Sequence, residues 1–274
     1  MLGEALGVEP CGDDGAILRL ATESPLPPLR AARFFMLRRE DRLSPAIPRP
    51  FSIYRQVGRE LWFLIKVTGA GTAALAACVP GTKLRVIGPL GNGWPALDGD
   101  GPPWVMLGGG IGSVPFYMAI EQALAGMDGF RPARREQLVY LYGAARKGLL
   151  YDLEAFQSLG VRVAACTDDG SFGLRGNVLQ LLGHLQERKE IPALVRLLAC
   201  GPERMLEAVE AHARRSGLEA WLSLETLMGC GVGICNGCPV PTLPDGPRGS
   251  WSNAKCCVEG PVFSTREVSL AAAH

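Results

Sequence analysis

Four times between residues 104 and 217, a short apolar run is followed by a segment whose apolar residues recur at helical spacing. "WVMLGG" (104–109) precedes "SVPFYMAIEQALAG", and "QLVYLYG" (137–143) precedes "LLYDLEAFQSLG". "VRVAACTDD" (161–169) precedes "NVLQLLGHLQERKE", and "VRLLACG" (195–201) precedes "PERMLEAVEAHARRSG". Short continuous apolar runs alternating with amphipathic helices require a parallel sheet covered on both faces, a doubly wound α/β domain. "EAWLSL" (219–224) is expected to be its last strand. The domain is placed at 99–222.

Residues 1–98 follow a different pattern. "AILRLAT", "ARFFMLRRE", "FSIYRQ", "LWFLIKV" and "KLRVIGPL" are short, rich in β-branched and aromatic residues, and separated by Gly and Pro turns. They predict an antiparallel barrel or sandwich, with one helix at "GTAALAAC" (71–78). "WPALDGDGPP" (94–103) reads as a linker between domains. Lys plus Arg total 28 against 27 Asp plus Glu, a net charge of +1 with no basic run, which gives no support for a nucleic-acid surface. The first ten residues lack a basic n-region and an apolar h-region, and no apolar stretch reaches membrane-spanning length. A soluble cytoplasmic protein is expected.

The last segment, 223–274, carries the chemistry. Five of the nine cysteines fall in it, and "CGVGICNGC" (230–238) spaces three of them as C-x4-C-x2-C. In a reducing compartment such crowding points to metal. With a distant fourth cysteine, this spacing matches plant-type [2Fe–2S] ligation by Cys230, Cys235 and Cys238. Gly231, Gly233 and Gly237 let the loop wrap closely and aim N–H groups at the sulfurs. A four-cysteine zinc site is the rival, although it ordinarily shows two C-x2-C knuckles. The fourth ligand is Cys256 or Cys257, in "KCCVEGPVF", and spacing does not choose between them.

Two further motifs sit at predicted strand ends. "VMLGGGIGSVPFY" is a strand, a glycine turn and a helix start with Pro115 at an early position. Gly108, Gly110 and Gly112 would let a pyrophosphate approach the backbone, or would simply form a tight turn. The run departs from G-x-G-x-x-G, because Ser113 occupies the third glycine position. In "CTDDG", Asp168 could accept hydrogen bonds from a ribose and favour NAD over NADP, or could belong to a helix-capping turn. Arg146 and Lys147 leave that preference open.

Taken in order, "RPFSIY", "GAGTAAL", "GPLGNGW", "LGGGIGSVPFY", "TDDGSFGLRGNV", "CGPERML", the cysteine loop and "CVEGPVF" resemble one family. It is the electron-transfer subunits of the class 1B dihydroorotate dehydrogenases, a branch of the ferredoxin–NADP reductase superfamily. The resemblance runs from about residue 10 to 263. It implies an FAD-binding antiparallel β-barrel, an NAD-binding α/β domain and a small C-terminal [2Fe–2S] module. Arg49 and Pro50 would meet the FAD pyrophosphate, Phe51 would pack on the flavin, and Ser52 would hydrogen-bond near N5, where hydride is exchanged. Leu64, Ile65 and Lys66 match a strand touching the cofactor, and Gly71 and Thr72 a helix start receiving its phosphates. Cys200 and Gly201 match the nicotinamide pocket, although a core cysteine reads equally from Cys200 alone. Ser52 and Cys200 are thus the expected catalytic residues. The family's last cluster ligand stands directly before x-acid-Gly-Pro-Val-Phe, which selects Cys257 and leaves Cys256 spare.

The resemblance implies an oxidoreductase subunit of pyrimidine biosynthesis. Electrons would pass from the FMN of a partner catalytic subunit, through the [2Fe–2S] cluster and FAD, to NAD+. The chain has no room for a (β/α)8 barrel of roughly 250 residues, so dihydroorotate oxidation belongs on that partner. The assembly would be a heterotetramer of two plus two. Phe51 and Trp94 depart from the tyrosine and phenylalanine that are usual at these positions, and the stretch between third and fourth cysteines is proline-rich. A flavin/iron–sulfur NAD(P)H reductase serving ferredoxin, a hydrogenase or a sulfur-reducing complex would share the same fold and cofactors. A binding module with decayed or zinc-filled sites is a third reading.

Overall fold

The computed structural model describes residues 1–41, 45–127 and 131–270. Its first half contains β1 (Leu2–Cys11), β2 (Gly15–Thr22), β3 (Phe34–Arg39), β4 (Arg49–Ser52), β5 (Arg55–Val57), β6 (Glu60–Lys66), α1 (Ala70–Ala76) and β7 (Lys83–Leu90). These strands form a seven-stranded sheet in the order β4-β3-β7-β1-β2-β6-β5, with every pair antiparallel. β4 and β5 are the two ends of that order, yet only Ile53 and Tyr54 separate them along the chain. The sheet therefore curls back on itself. The expected single strand "FSIYRQ" is broken at this corner, where both Ile53 and Tyr54 are fully buried. β1 had no counterpart in the expected strands. It mixes glycine, proline and charge, and earns its place by pairing with both β2 and β7.

The α/β half contains β8 (Trp104–Gly109), α2 (Val114–Ala125), β9 (Leu138–Ala144), α3 (Leu153–Ser158), β10 (Arg162–Thr167), β11 (Leu174–Arg175), α4 (Val178–Glu187), β12 (Arg196–Cys200), α5 (Glu203–Ser216) and β13 (Glu219–Ser223). Three short strands follow: β14 (Pro239–Pro241), β15 (Asn253–Lys255) and β16 (Val262–Ser264). The second sheet runs β11-β10-β9-β8-β12-β13-β16, parallel except for β16. Alternate residues of β8 point to opposite faces, as the strand period requires. Trp104 and Met106 join the core shared with the barrel and α2. Val105 and Leu107 join the core shared with α4, α5 and the C-terminal segment. α4 begins at Asn177, whose side chain accepts from the N–H groups of Leu179 and Gln180.

"EAWLSL" is the last parallel strand but not the sheet edge, because β16 from the cysteine segment pairs antiparallel outside it. "WPALDGDGPP" connects the two halves, and its first residue is firmly packed. Trp94 is buried, stacks on Phe116 at 5.4 Å, and donates from Nε1 to the Pro115 carbonyl at 3.1 Å. An indole is too large and apolar to leave in water when a domain interface lies beside it. Among the described residues, no helix is long and apolar enough to cross a membrane.

Candidate functional site

Cys230, Cys235 and Cys238 lie on the irregular loop between β13 and β14, and Cys257 on the turn between β15 and β16. The antiparallel pairing of β14 with β15 brings the distant cysteine back, with Pro239 opposite Lys255. The proline-rich stretch thus supplies the arms of a hairpin. Cys256 N–H donates to the Cys238 carbonyl at 2.9 Å, and the Sγ atoms of Cys238 and Cys257 lie 3.3 Å apart. Cys256, fully buried, turns its Sγ the other way, 3.6 Å from the Leu224 carbonyl. Burial pushes its thiol up to about 12.

At the other end of the loop, the N–H groups of Val232 and Cys235 each point at Cys230 Sγ from 3.4 Å. These N–H groups, with Cys235 foremost, lower the Cys230 thiol to about 6, so it is ionised at neutral pH, the form that binds metal. The four sulfurs therefore fall into two pairs, Cys230 with Cys235 and Cys238 with Cys257. Among the described residues, no three Cys, His, Asp or Glu side chains gather about one point that could hold a metal ion. A paired, all-thiol donor set with backbone N–H groups aimed at sulfur fits a cluster with two metal atoms.

The parallel sheet reverses strand order at β8, with β9 on one side and β12 on the other, and the carboxyl ends of such strands form a crevice. Gly108 and Cys200 are register partners there. A Cβ at Gly112 would fall 2.2 Å from the Cys200 carbonyl oxygen, and one at Gly108 would fall 2.5 Å from Tyr140 Oη. The protein's own packing fills both spaces. At Gly110, with φ +53°, a Cβ would meet nothing within 4 Å, so it alone of the three borders open space, while its carbonyl accepts from Tyr142 Oη at 3.0 Å. Gly201 packs against Met205 Sδ and Gly109. Cys200 is half-buried, and burial pushes its thiol up to about 12, so it stays neutral. Asp168 stands exposed past the end of β10, its N–H bonded to the Ala144 carbonyl, with β9 between it and β8. Arg146 is taken by Asp13 of the barrel at 2.8 Å. Lys147 Nζ lies 5.9 Å from the Phe172 ring centre.

On the barrel, Arg49 and Gly71 come together. The position of a Gly71 Cβ lies 3.3 Å from Arg49 Cγ and Nε. With Arg38 and Arg39 they line a small surface cleft, where Arg39 is held by Asp41 and Arg38 and Arg49 supply the charge that suits a pyrophosphate. Thr72 spends its hydroxyl locally, accepting from Thr68 and Gly69 N–H groups and donating to the Gly69 carbonyl. Pro50, Phe51 and Ser52 are half-buried on β4, opposite Met36, Phe35 and Phe34. Leu64 and Ile65 are buried, which leaves only their backbone for a cofactor, while Lys66 reaches Asp14 at 3.7 Å. Phe51 and Cys200 both border the core that joins barrel to α/β domain.

Residues 225–269 match the family model described as the iron–sulfur cluster binding domain of dihydroorotate dehydrogenase B. A dihydroorotate dehydrogenase B (NAD(+)) electron transfer subunit of Bacillus cereus (strain AH187) is 33% identical over 241 residues, covering 87% of this chain and 86% of the relative. The Bacillus anthracis (strain A0248) counterpart matches equally. The chain belongs to the dihydroorotate dehydrogenase B electron transfer subunit family. Solved structures agree on the fold. An NADH-dependent reduced ferredoxin–NADP oxidoreductase aligns over 99% of this chain and 91% of its own, with TM-score 0.80 at 24% identity. A ferredoxin NADP+ reductase from Neisseria gonorrhoeae aligns over 79% and 91%, with TM-score 0.64 at 17% identity.

The dihydroorotate dehydrogenase B match spans all four cysteines in their two pairs. Sequence reasoning quoted "GPLGNGW" and "EGPVF" as separate marks of this family. In the fold they touch, through Asn92. It also missed Tyr54, whose hydroxyl donates across the domain boundary to Asp152 Oδ2 at 2.6 Å. No local signal could have found that pair, which is separated by 98 residues.

Proposed function

We propose that this chain is the electron-transfer subunit of a dihydroorotate dehydrogenase. It takes electrons from the FMN of a separate catalytic subunit and delivers them, through a [2Fe–2S] cluster and FAD, to NAD+ in pyrimidine biosynthesis. When bound, FAD supplies the exchange between one-electron and hydride chemistry that neither the cluster nor NAD performs alone. Cys230, Cys235, Cys238 and Cys257 would hold the cluster, which passes electrons one at a time. Arg49 grips the flavin pyrophosphate with its fork beside Gly71 and Thr72, while Phe51 and Ser52 face the ring. Leu64, Ile65 and Lys66 present the backbone of β6 to the same cofactor. Gly110 admits the NAD pyrophosphate beside Gly108 and Gly112, Asp168 takes the ribose, and Cys200 with Gly201 shapes the nicotinamide pocket. The observation that carries this reading is the pairing of thiols by the β14–β15 hairpin in a chain of this family.

A catalytic partner fits the surface around the cysteines. Leu227 and Ile234 are 89% and 81% exposed, Val232 is exposed between them in sequence, and Val258 is exposed against Gly233 of the same loop. Apolar side chains presented on ligand-bearing loops mark a surface that another protein covers. The proposed assembly is two copies of this chain with a dimer of FMN-bearing subunits, in the cytoplasm.

The test is anaerobic visible spectroscopy of the complex purified from its host, on adding dihydroorotate. Bleaching of both flavin and cluster bands is expected. Bands that ignore dihydroorotate, with all co-purifying subunits present, would sink this reading in favour of an NAD(P)H reductase with another acceptor. That alternative draws on the full-length likeness to the ferredoxin–NADP oxidoreductase, which speaks for fold alone.

A further inference from the structure

The end of the barrel and the segment carrying the fourth cysteine meet at one side chain. Asn92 follows β7 by two residues. Its Nδ2 donates to the carbonyls of Glu259 at 2.9 Å and Val262 at 2.7 Å, and its Oδ1 accepts from Val262 N–H at 3.0 Å. Its own N–H donates to the Gly260 carbonyl at 2.6 Å. Four hydrogen bonds thus join residue 92 to a segment that begins two residues after Cys257. An amide is the one small side chain that can donate twice and accept once in this arrangement. Aspartate, of the same shape, would face two carbonyl oxygens with a carboxylate. Serine has one donor.

Gly91 makes the approach possible. A Cβ there would fall 2.6 Å from the Gly260 carbonyl oxygen and 2.7 Å from Pro261 Cδ, and its φ is +68°. A second contact grips the other ligand segment. A Cβ at Gly231, next to Cys230, would fall 2.6 Å from Met36 Cγ and 3.3 Å from Leu90 Cδ1. The β3–β7 pair of the barrel therefore touches both stretches that bear cysteines.

We propose that Asn92 is a positioning residue for electron transfer, holding the flavin barrel in register with the cluster-bearing segment. It touches neither reacting group. It sets the separation of the two by fixing the turn after Cys257 to the end of β7. The proposal rests on the reading above, in which electrons pass between a flavin on the barrel and a cluster on these cysteines. Supporting groups of this kind hold reacting centres to fractions of an ångström.

The experiment uses the purified holoprotein under anaerobic conditions, as wild type, Asn92→Asp and Asn92→Ala. NADH is mixed in, flavin bleaching is followed optically, and cluster reduction is followed by electron paramagnetic resonance on frozen samples. Both variants should bleach flavin within about twofold of the wild-type rate and reduce the cluster about tenfold more slowly or worse, the scale of a misplaced reacting pair. Hydrogen exchange at the Val262 amide should be about tenfold faster in Asn92→Ala, the loss of a single hydrogen bond of ordinary strength, whereas Asn92→Asp keeps an oxygen that accepts from that N–H and loses only the two donations. Cluster reduction at the wild-type rate in both variants, or unchanged Val262 exchange in Asn92→Ala, overturns the proposal. Equal slowing of both steps, or loss of iron from both variants, assigns Asn92 a merely structural role and also overturns it. A wild-type protein whose flavin bleaches while its cluster stays oxidised would instead sink the functional reading itself.

Discussion

The glycine turn offers a perturbation whose size follows from the structure. In Gly112→Ala the new Cβ lies 2.2 Å from the Cys200 carbonyl oxygen, 2.5 Å from its carbon and 2.6 Å from Gly201 N. All three are backbone atoms, so no side chain can swing away. Even a 3.0 Å contact, closer than real Cβ atoms come, needs a shift of at least about 0.8 Å. That shift must pull the end of β12 from β8, where Cys200 pairs with Gly108. Overpacking of this kind costs about 1–3 kcal/mol. At about 2–4 °C per kcal/mol for a protein of this size, the melting temperature should fall by roughly 2–12 °C. Gly110→Ala is the matched control. Its Cβ meets nothing within 4 Å, and the cost is the left-handed backbone at φ +53°, about 1 kcal/mol. Thermal melts of both variants, followed by NADH titration of flavin bleaching, separate packing from binding. Gly112→Ala should be the less stable protein, and Gly110→Ala should lose NADH affinity while staying folded. A Gly112→Ala protein as stable as wild type would refute the packing argument, and unchanged NADH affinity in Gly110→Ala would refute the ligand role.

Three further outcomes follow from the same coordinates. Cys257→Ser should lose the cluster, and Cys256→Ser should keep it, because Cys256 Sγ faces the Leu224 carbonyl; iron content and the visible spectrum decide, and the reverse result would reassign the ligand. Tyr54→Phe removes the hydroxyl that donates to Asp152 and should cost about 1.5–3 kcal/mol, read from urea unfolding, while an unchanged midpoint would show the bond adds nothing. Burial, aided by Arg215, holds His212 below its usual 6.5. The unfolded chain therefore binds that proton more readily, so stability is full above about pH 6.5 and declines as pH falls towards the folded value. His212→Gln should flatten the pH 7 to 5 portion of the stability curve, and an unaltered slope would place the titration elsewhere.

What the sequence disclosed tracks how locally each feature is determined. β8 was read at its observed bounds because a strand buried on both faces is a continuous apolar run, and glycine ends it. β1 was invisible because its two glycines and its proline are tolerated only through pairing on both sides. β16, three residues long, was quoted as part of a motif but carries no periodicity from which a strand could be read. The choice between Cys256 and Cys257 was beyond spacing, since adjacent side chains differ only in direction. Direction comes from the β14–β15 register, which turns one sulfur towards Cys238 and the other into the core. Among the glycines, composition could not separate Gly110 from its neighbours, because a turn that closes on protein and one that opens to a ligand need the same residue type.

The placement of β16 explains why the cysteine segment can be small and still precise. Ser223 pairs with Val262, and Leu224 N–H donates to the Pro261 carbonyl at 2.9 Å. The chain leaves this pair of strands in two directions. Forward from Leu224 it reaches Cys230 within six residues, and backward from Pro261 it reaches Cys257 within four. Both ligand-bearing stretches are thus anchored at one point on the α/β sheet, beside the strand end that carries Cys200, which is the register partner of Ser223. A module with little core of its own gains its rigidity from that anchor and from the barrel contacts at Gly231 and Asn92. Three sheet-borne elements then meet around the cysteines, so movement of any one of them changes the spacing between the proposed flavin, nicotinamide and cluster sites. The cysteine segment is thus tied down by strand pairing at one end and by a single amide at the other.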